Sequence, residues 1–155
     1  MADAIQAAIN DTLRVPNMVL TAHVHDYQRI ERNLVKSTPT PFLVVGNGGY
    51  YNLHRLTSGP GAVDSATQAK LVGGYDKSHG YTTLSVSADS ISGASYGVGL
   101  TGTAIGAAPA AAKSKGKKRP PKPPKPPANT GVSAVDKFSY PAAAQMLPKG
   151  TTVSL

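Results

Sequence analysis

The sequence predicts an α/β fold, α+β by content, with a flanking helix and a disordered Pro/Lys-rich tail. Three observations carry that expectation. Residues 3 to 14 place Ile5, Ala8, Ile9, Thr12 and Leu13 at helical spacing. Two apolar runs without alternation, Met18 to Ala22 and Pro41 to Gly46, have the form of strands buried on both faces. Tyr81 to Val98 alternates with a period of two and reads as a hairpin.

Asp3 is placed to cap the helix or to sit in its first turn. Pro16 is expected to stop it, because proline disfavours helical angles at Val15. Val15-Pro16-Asn17 is then a short connection into the first apolar strand. The second strand runs into Asn47-Gly48-Gly49, which suits a tight turn. That turn lacks the Gly-Lys-Ser/Thr ending of a phosphate-binding loop. Residues 57 to 78 read as an irregular insertion broken by Gly59-Pro60-Gly61 and Gly73-Gly74, with a helical turn around 65 to 71. In the hairpin, Asp89-Ser90 supplies the turn.

Beyond about Gly93 the chain is dominated by Gly, Ala, Pro, Ser, Thr and Lys, which bury little apolar surface. Seven of the 13 prolines fall between Pro109 and Pro127, and residues 119 to 127 favour extended polyproline II. The chain therefore divides into a foldable part, 1 to 98, a low-complexity linker, 99 to 131, and a short tail, 132 to 155. The tail holds Val132, Val135, Phe138, Tyr140, Met146 and Leu147 without a period, and reads either as a docking segment or as disorder.

The net charge of +8 belongs to the linker. Lys113, Lys115, Lys117, Lys118, Arg119, Lys122 and Lys125 account for seven of the 16 basic residues, leaving nine against eight acids elsewhere. No aromatic residue interleaves with these lysines, which argues against nucleic-acid stacking. Composition favours a solvated linker over an arm that binds polyanions or offers Pro-x-x-Pro to a partner. Cysteine is absent, which excludes disulfides and thiolate metal sites. No run approaches the ~20 apolar residues of a membrane span, and the first residues lack the pattern of a signal peptide.

The chemistry concentrates in Ala22-His23-Val24-His25-Asp26-Tyr27-Gln28-Arg29, at the expected carboxyl end of the first strand. Histidines at i and i+2 leaving a strand can reach one metal together or two neighbouring metals, and imidazole suits ions such as zinc and iron. His54 and His79 stand alone, either as surface and packing residues or in loops near the site.

This stretch is similar to the Gly-His-x-His-x-Tyr-x-Arg motif of calcineurin-like metallophosphoesterases, particularly the purple-acid-phosphatase branch. Gly46-Asn47-Gly48-Gly49 looks like that family's Gly-x-Gly-Gly turn, and His79-Gly80-Tyr81-Thr82-Thr83-Leu84 like its lead into a late hairpin. The resemblance covers about residues 3 to 98. It implies a partial metallophosphoesterase β-sandwich and a metal-dependent phosphoester hydrolase. His23 would bind one metal and His25 the other, while Tyr27 and Arg29 would support the loop. Asp26 holds the variable position and reads as a solvated loop acid.

Two departures stand out. The motif's glycine is Ala22 here. The family's Asp-x-Gly/His, Gly-Asp and Gly-Asn-His-Asp/Glu motifs are absent, and none of the eight acids stands in such a context. The resemblance thus implies the C-terminal portion of the domain, inactive alone, with no catalytic residue of its own. In the complete enzyme two metal ions (iron, zinc or manganese) would act on a phosphate ester, with the missing N-terminal portion as partner. This chain alone would hold metal weakly or not at all. The sequence does not identify a compartment; enzymes of the kind it resembles are commonly exported. The rival expectation is a non-catalytic protein that carries its basic Pro-rich arm to an acidic partner.

Overall fold

The computed structural model describes residues 2–35, 38–49, 52–100, 130–142 and 145–149. The linker expectation for 99 to 131 falls almost wholly outside these residues, as does the side chain of Asp3. The described residues form a mixed α+β arrangement, mostly strands, with one short helix.

Helix α1, Ala2–Thr12, buries Ile9 against Val15, Leu34 and Leu147, with Ile5, Leu13 and Phe42 packed around them. Ala8 and Thr12, expected on the same face, are exposed. The helix does not run to Pro16. It ends at Leu13, which adopts a left-handed φ of 55° while its N–H closes the last turn on the Ile9 carbonyl at 2.7 Å. A left-handed angle costs a branched residue about 1–2 kcal/mol. Packing of the Leu13 side chain and a bond from the Leu147 N–H to its carbonyl hold it there. Arg14–Val15 then forms β1, which pairs antiparallel with β9, Gln145–Met146.

The first sheet contains β2 (Val19–Thr21), β3 (Tyr27–Val35), β4 (Thr38–Val45) and β5 (Lys70–Tyr75), in the order β2-β4-β3-β5. β2 runs parallel to β4, with Val19 opposite Phe42. Pro39 and Pro41 precede Phe42, so neither interrupts that ladder. β2 is an edge strand, and Leu20 is 57% exposed. The expectation of burial on both faces is therefore corrected for β2, which among the described residues is paired along one side only.

β5 occupies part of the segment read as an irregular insertion, and Gly73-Gly74 lies inside the strand instead of breaking it. A Cβ on Gly73 would sit 2.3 Å from Asp136 Oδ2, so the glycine makes room for a side chain from the other sheet. Gly73→Ala is expected to cost about 1–3 kcal/mol by overpacking, read as a lower midpoint in urea. An unchanged midpoint would show that Asp136 yields freely. The turn before β5 is a single helical turn, in which the Gln68 N–H bonds the Asp64 carbonyl at 2.8 Å, and it goes no further because Gln68 takes a left-handed φ of 57°. Asp64 closes it by accepting both the N–H and the hydroxyl of Thr67 at 2.8 and 2.7 Å.

The second sheet is β6 (Gly80–Val86), β7 (Ser90–Leu100) and β8 (Thr130–Pro141), in that order. The β6–β7 hairpin is present, with its turn one residue earlier than expected. Val86 faces Ile91 and Ser87 pairs with Ser90, leaving Ala88-Asp89 at the tip. β8 pairs with β7 from Leu100↔Thr130 to Ser90↔Pro141, with a register shift beside Val135. Folded structure thus extends well beyond residue 98, and Thr130–Pro141 is a sheet strand. Phe138 and Tyr140 pack against Leu43 and Val45 of the first sheet and Met18 just before it, which makes the two sheets a sandwich at this contact. Among the described residues no helix is long and apolar enough to cross a membrane.

Candidate functional site

Thr21 ends β2 and Tyr27 begins β3, so residues 22 to 26 form the loop at the carboxyl end of a strand that pairs in parallel. The loop is tight. The Asp26 N–H bonds the Val24 carbonyl at 2.9 Å, and the Asp26 carbonyl accepts the Gly46 N–H at 3.0 Å. His23 sits in the left-handed region at φ 84°, an unfavourable conformation for a side-chain-bearing residue. Gly46 approaches so closely that a Cβ there would fall 1.8 Å from the Val24 carbonyl oxygen. The Gly-x-Gly-Gly turn and the His-x-His loop are therefore pressed backbone to backbone.

His23 is exposed and His25 is half-buried. The Nδ1 of His25 lies 2.9 Å from the Asn52 carbonyl. A carbonyl only accepts, so that nitrogen carries the proton, and in the neutral ring the lone pair is on Nε2. His54 stacks on His25, with centroids 4.7 Å apart and planes 23° from parallel. Of the two lone histidines, His54 is thus drawn into the site. His79 leads into β6, where its carbonyl accepts the N–H of Val98.

Asp26 is not a solvated loop acid. It is buried, at 1% exposure, and both its oxygens accept from Gln28 Nε2, at 3.1 and 3.0 Å. Burial raises its carboxyl above the ordinary range, opposed by the Gln28 bonds and by the field of His54. The loop folds Asp26 inward because its main chain bonds on both sides, to Val24 and to Gly46.

Tyr27 and Arg29 point away from the loop into the contact between the sheets. The Tyr27 hydroxyl donates to Asp136 Oδ2 at 2.7 Å. Arg29 grips the same carboxylate with Nε at 2.8 Å and Nη2 at 3.1 Å. Its Nη1 donates to the Tyr140 hydroxyl, which donates in turn to Glu31, both at 2.6 Å. Burial by itself would ease deprotonation of the guanidinium. The bonds to Asp136 and Tyr140 outweigh it and hold the group charged. Tyr27 is pushed above the ordinary tyrosine value by burial and by Asp136, and Tyr140 is pushed up to about 12 by burial and by Glu31. Both residues are therefore tied to β8 through Asp136. Asp136 is the essential partner that sequence reasoning missed. It lies 107 residues from Arg29, and no local pattern marks it.

The resemblance implies two metal ions. Two imidazoles leaving one loop are suitable donors, but among the described residues no group of three or more His, Cys, Asp or Glu side chains could hold a metal ion. Catalytic zinc keeps about three protein ligands, so the residues present do not fit a complete centre. Asn47, in the adjoining turn, is buried against Gly80, and among the described residues neither its side-chain nitrogen nor its oxygen has a hydrogen-bond partner.

No protein-family model matches the sequence, and no curated protein or solved structure matches it significantly.

Proposed function

We propose that this chain is the C-terminal portion of a metal-dependent phosphoester hydrolase of the calcineurin-like, purple-acid-phosphatase-like kind, inactive alone. The observation that carries the reading is the placement of His23 and His25. Both leave the carboxyl end of a strand paired in parallel, where layered sheets carry their ligands. His25 is fixed through Nδ1 by a backbone carbonyl, the arrangement that metal-binding histidines commonly use. The close approach of Gly46 to this loop supports pairing the two motifs as one unit.

The same residues support incompleteness. His54 stacks on His25 and Asp26 is turned inward, so among the described residues neither joins the two imidazoles in a ligating group of three, and such a pair holds a metal weakly and does not activate its water. The remaining donors would come from the N-terminal portion of the domain, and the substrate would be a phosphate ester.

The expected result is that the chain alone does not turn over p-nitrophenyl phosphate with zinc, manganese or iron. The coding sequence in frame upstream of Met1 is expected to carry Gly-Asp and Gly-Asn-His-Asp/Glu motifs, and co-expression of that portion to restore turnover. Metal-dependent turnover by the chain alone would overturn its incompleteness. An upstream frame without those motifs would overturn the family.

A further inference from the structure

Three hydrogen bonds tie His25 to the 52–54 segment, and two of them come from His54. The backbone N–H of His54 donates to the His25 carbonyl at 3.0 Å. The backbone N–H of His25 donates to His54 Nδ1 at 3.2 Å. These two bonds lay residues 52 to 54 alongside His25, and that places the Asn52 carbonyl 2.9 Å from the His25 ring nitrogen Nδ1. The stacked rings then carry opposite tautomers. His54 accepts at Nδ1, so its proton is on Nε2, whereas His25 donates at Nδ1 and has its lone pair on Nε2.

We propose that His54 is a positioning residue that docks the 52–54 segment on His25 and so sets the His25 imidazole as the Nδ1–H tautomer, presenting Nε2. The consequence for metal binding rests on the phosphoesterase reading. The tautomer itself does not. The acceptor nitrogen of His54 governs the arrangement, with ring stacking secondary, because, of the two contributions of the His54 side chain, only the acceptor bonds the backbone of His25, and it completes the pair begun by the His54 N–H.

Two substitutions separate these contributions. His54→Asn keeps an acceptor, Oδ1, the same number of bonds from the backbone as Nδ1, and removes the stacked ring. His54→Phe keeps a stacking ring and removes the acceptor. Long-range proton–nitrogen NMR correlations on the full nitrogen-labelled chain at pH 8 report the tautomer of each histidine. Wild type is expected to show His25 as Nδ1–H and His54 as Nε2–H. His54→Asn should keep the His25 tautomer, and His54→Phe should give a mixture, with the amide spectrum of the sheets unchanged in both. A packing role predicts the reverse pattern and would overturn the proposal. So would a single Nδ1–H tautomer surviving in His54→Phe. If both variants fail to fold, the wild-type spectrum decides, since a mixed or Nε2–H His25 overturns the proposal without any variant.

A zinc titration in the same samples separates the two readings. Zinc is expected to shift His23 and His25, with about tenfold weaker binding in His54→Phe, as for other residues that orient a ligand. Opposite tautomers with no zinc response at either histidine would leave the positioning role standing and overturn its consequence for metal binding by this chain. Zinc binding of equal strength in wild type and His54→Phe would do the opposite.

Discussion

Asp136→Ala is expected to destabilise the protein by about 3–5 kcal/mol, the cost of leaving one partner of a buried ion pair alone. The Arg29 and Asp136 side chains are each 13% exposed, so solvent cannot replace the lost carboxylate efficiently. The same change strips the Tyr27 hydroxyl of its acceptor. Because whole domains are stable by only about 5–15 kcal/mol, β8 should detach or the fold should collapse. Urea denaturation followed by circular dichroism measures this. Arg29→Met combined with Asp136→Ala should lie closer to wild type than Asp136→Ala alone, since the charge left behind is then Glu31, which is 27% exposed and still bonded by the Tyr140 hydroxyl. A single variant within about 1 kcal/mol of wild type would mean that the pair is already well hydrated.

The network also sets an alkaline limit. Tyr27 and Tyr140 bind their protons more tightly in the folded state than at the ordinary value of 10, with Tyr140 pushed up to about 12. The unfolded chain therefore loses these protons first as pH rises. Their stabilisation is complete below about pH 10 and is lost progressively as pH climbs through 12. Tyr140→Phe should flatten part of that decline in denaturation experiments across this range.

The second large effect is expected from Gly46→Ala. The new methyl would lie 1.8 Å from the Val24 carbonyl oxygen and 2.7 Å from its carbon, both main-chain atoms that cannot rotate aside. The loop carrying His23 and His25 must move away from β4, at a cost near the upper end of the range of about 1–3 kcal/mol seen for overpacking. The outcome to look for is a lower thermal midpoint together with loss of the zinc response at both histidines. Retention of both by Gly46→Ala would show that the loop is not seated on this turn. Gly48→Ala, where nothing lies within 4 Å of the added carbon, is the matched control.

Local patterns in the chain marked one helix and some of its strands, and missed β3, β5 and β8. The spacing of Ile5 and Ile9 marks α1, the apolar run at 41 to 45 marks β4, and alternation from Tyr81 marks the hairpin. The His-x-His stretch was visible as the chemical centre, because its residue types are conspicuous whatever the chain does around them. Features that depend on distant partners were not legible. Leu13 ends the helix without a glycine because Leu147 bonds and packs there. Gly73 looked like a breaker, and its smallness answers to a carboxylate from β8. β8 itself was hidden because its inward positions carry Asp136 as well as Phe138 and Tyr140, and because the irregularity beside Val135 disrupts the alternation. Asp26 looked solvated, since its burial depends on main-chain bonds to Val24 and Gly46. Composition and periodicity report what a segment prefers among its near neighbours. The charge at the centre of this sandwich, and the carbonyl that orients His25, are fixed by groups brought together across 107 and 27 residues, and only tertiary packing selects those meetings.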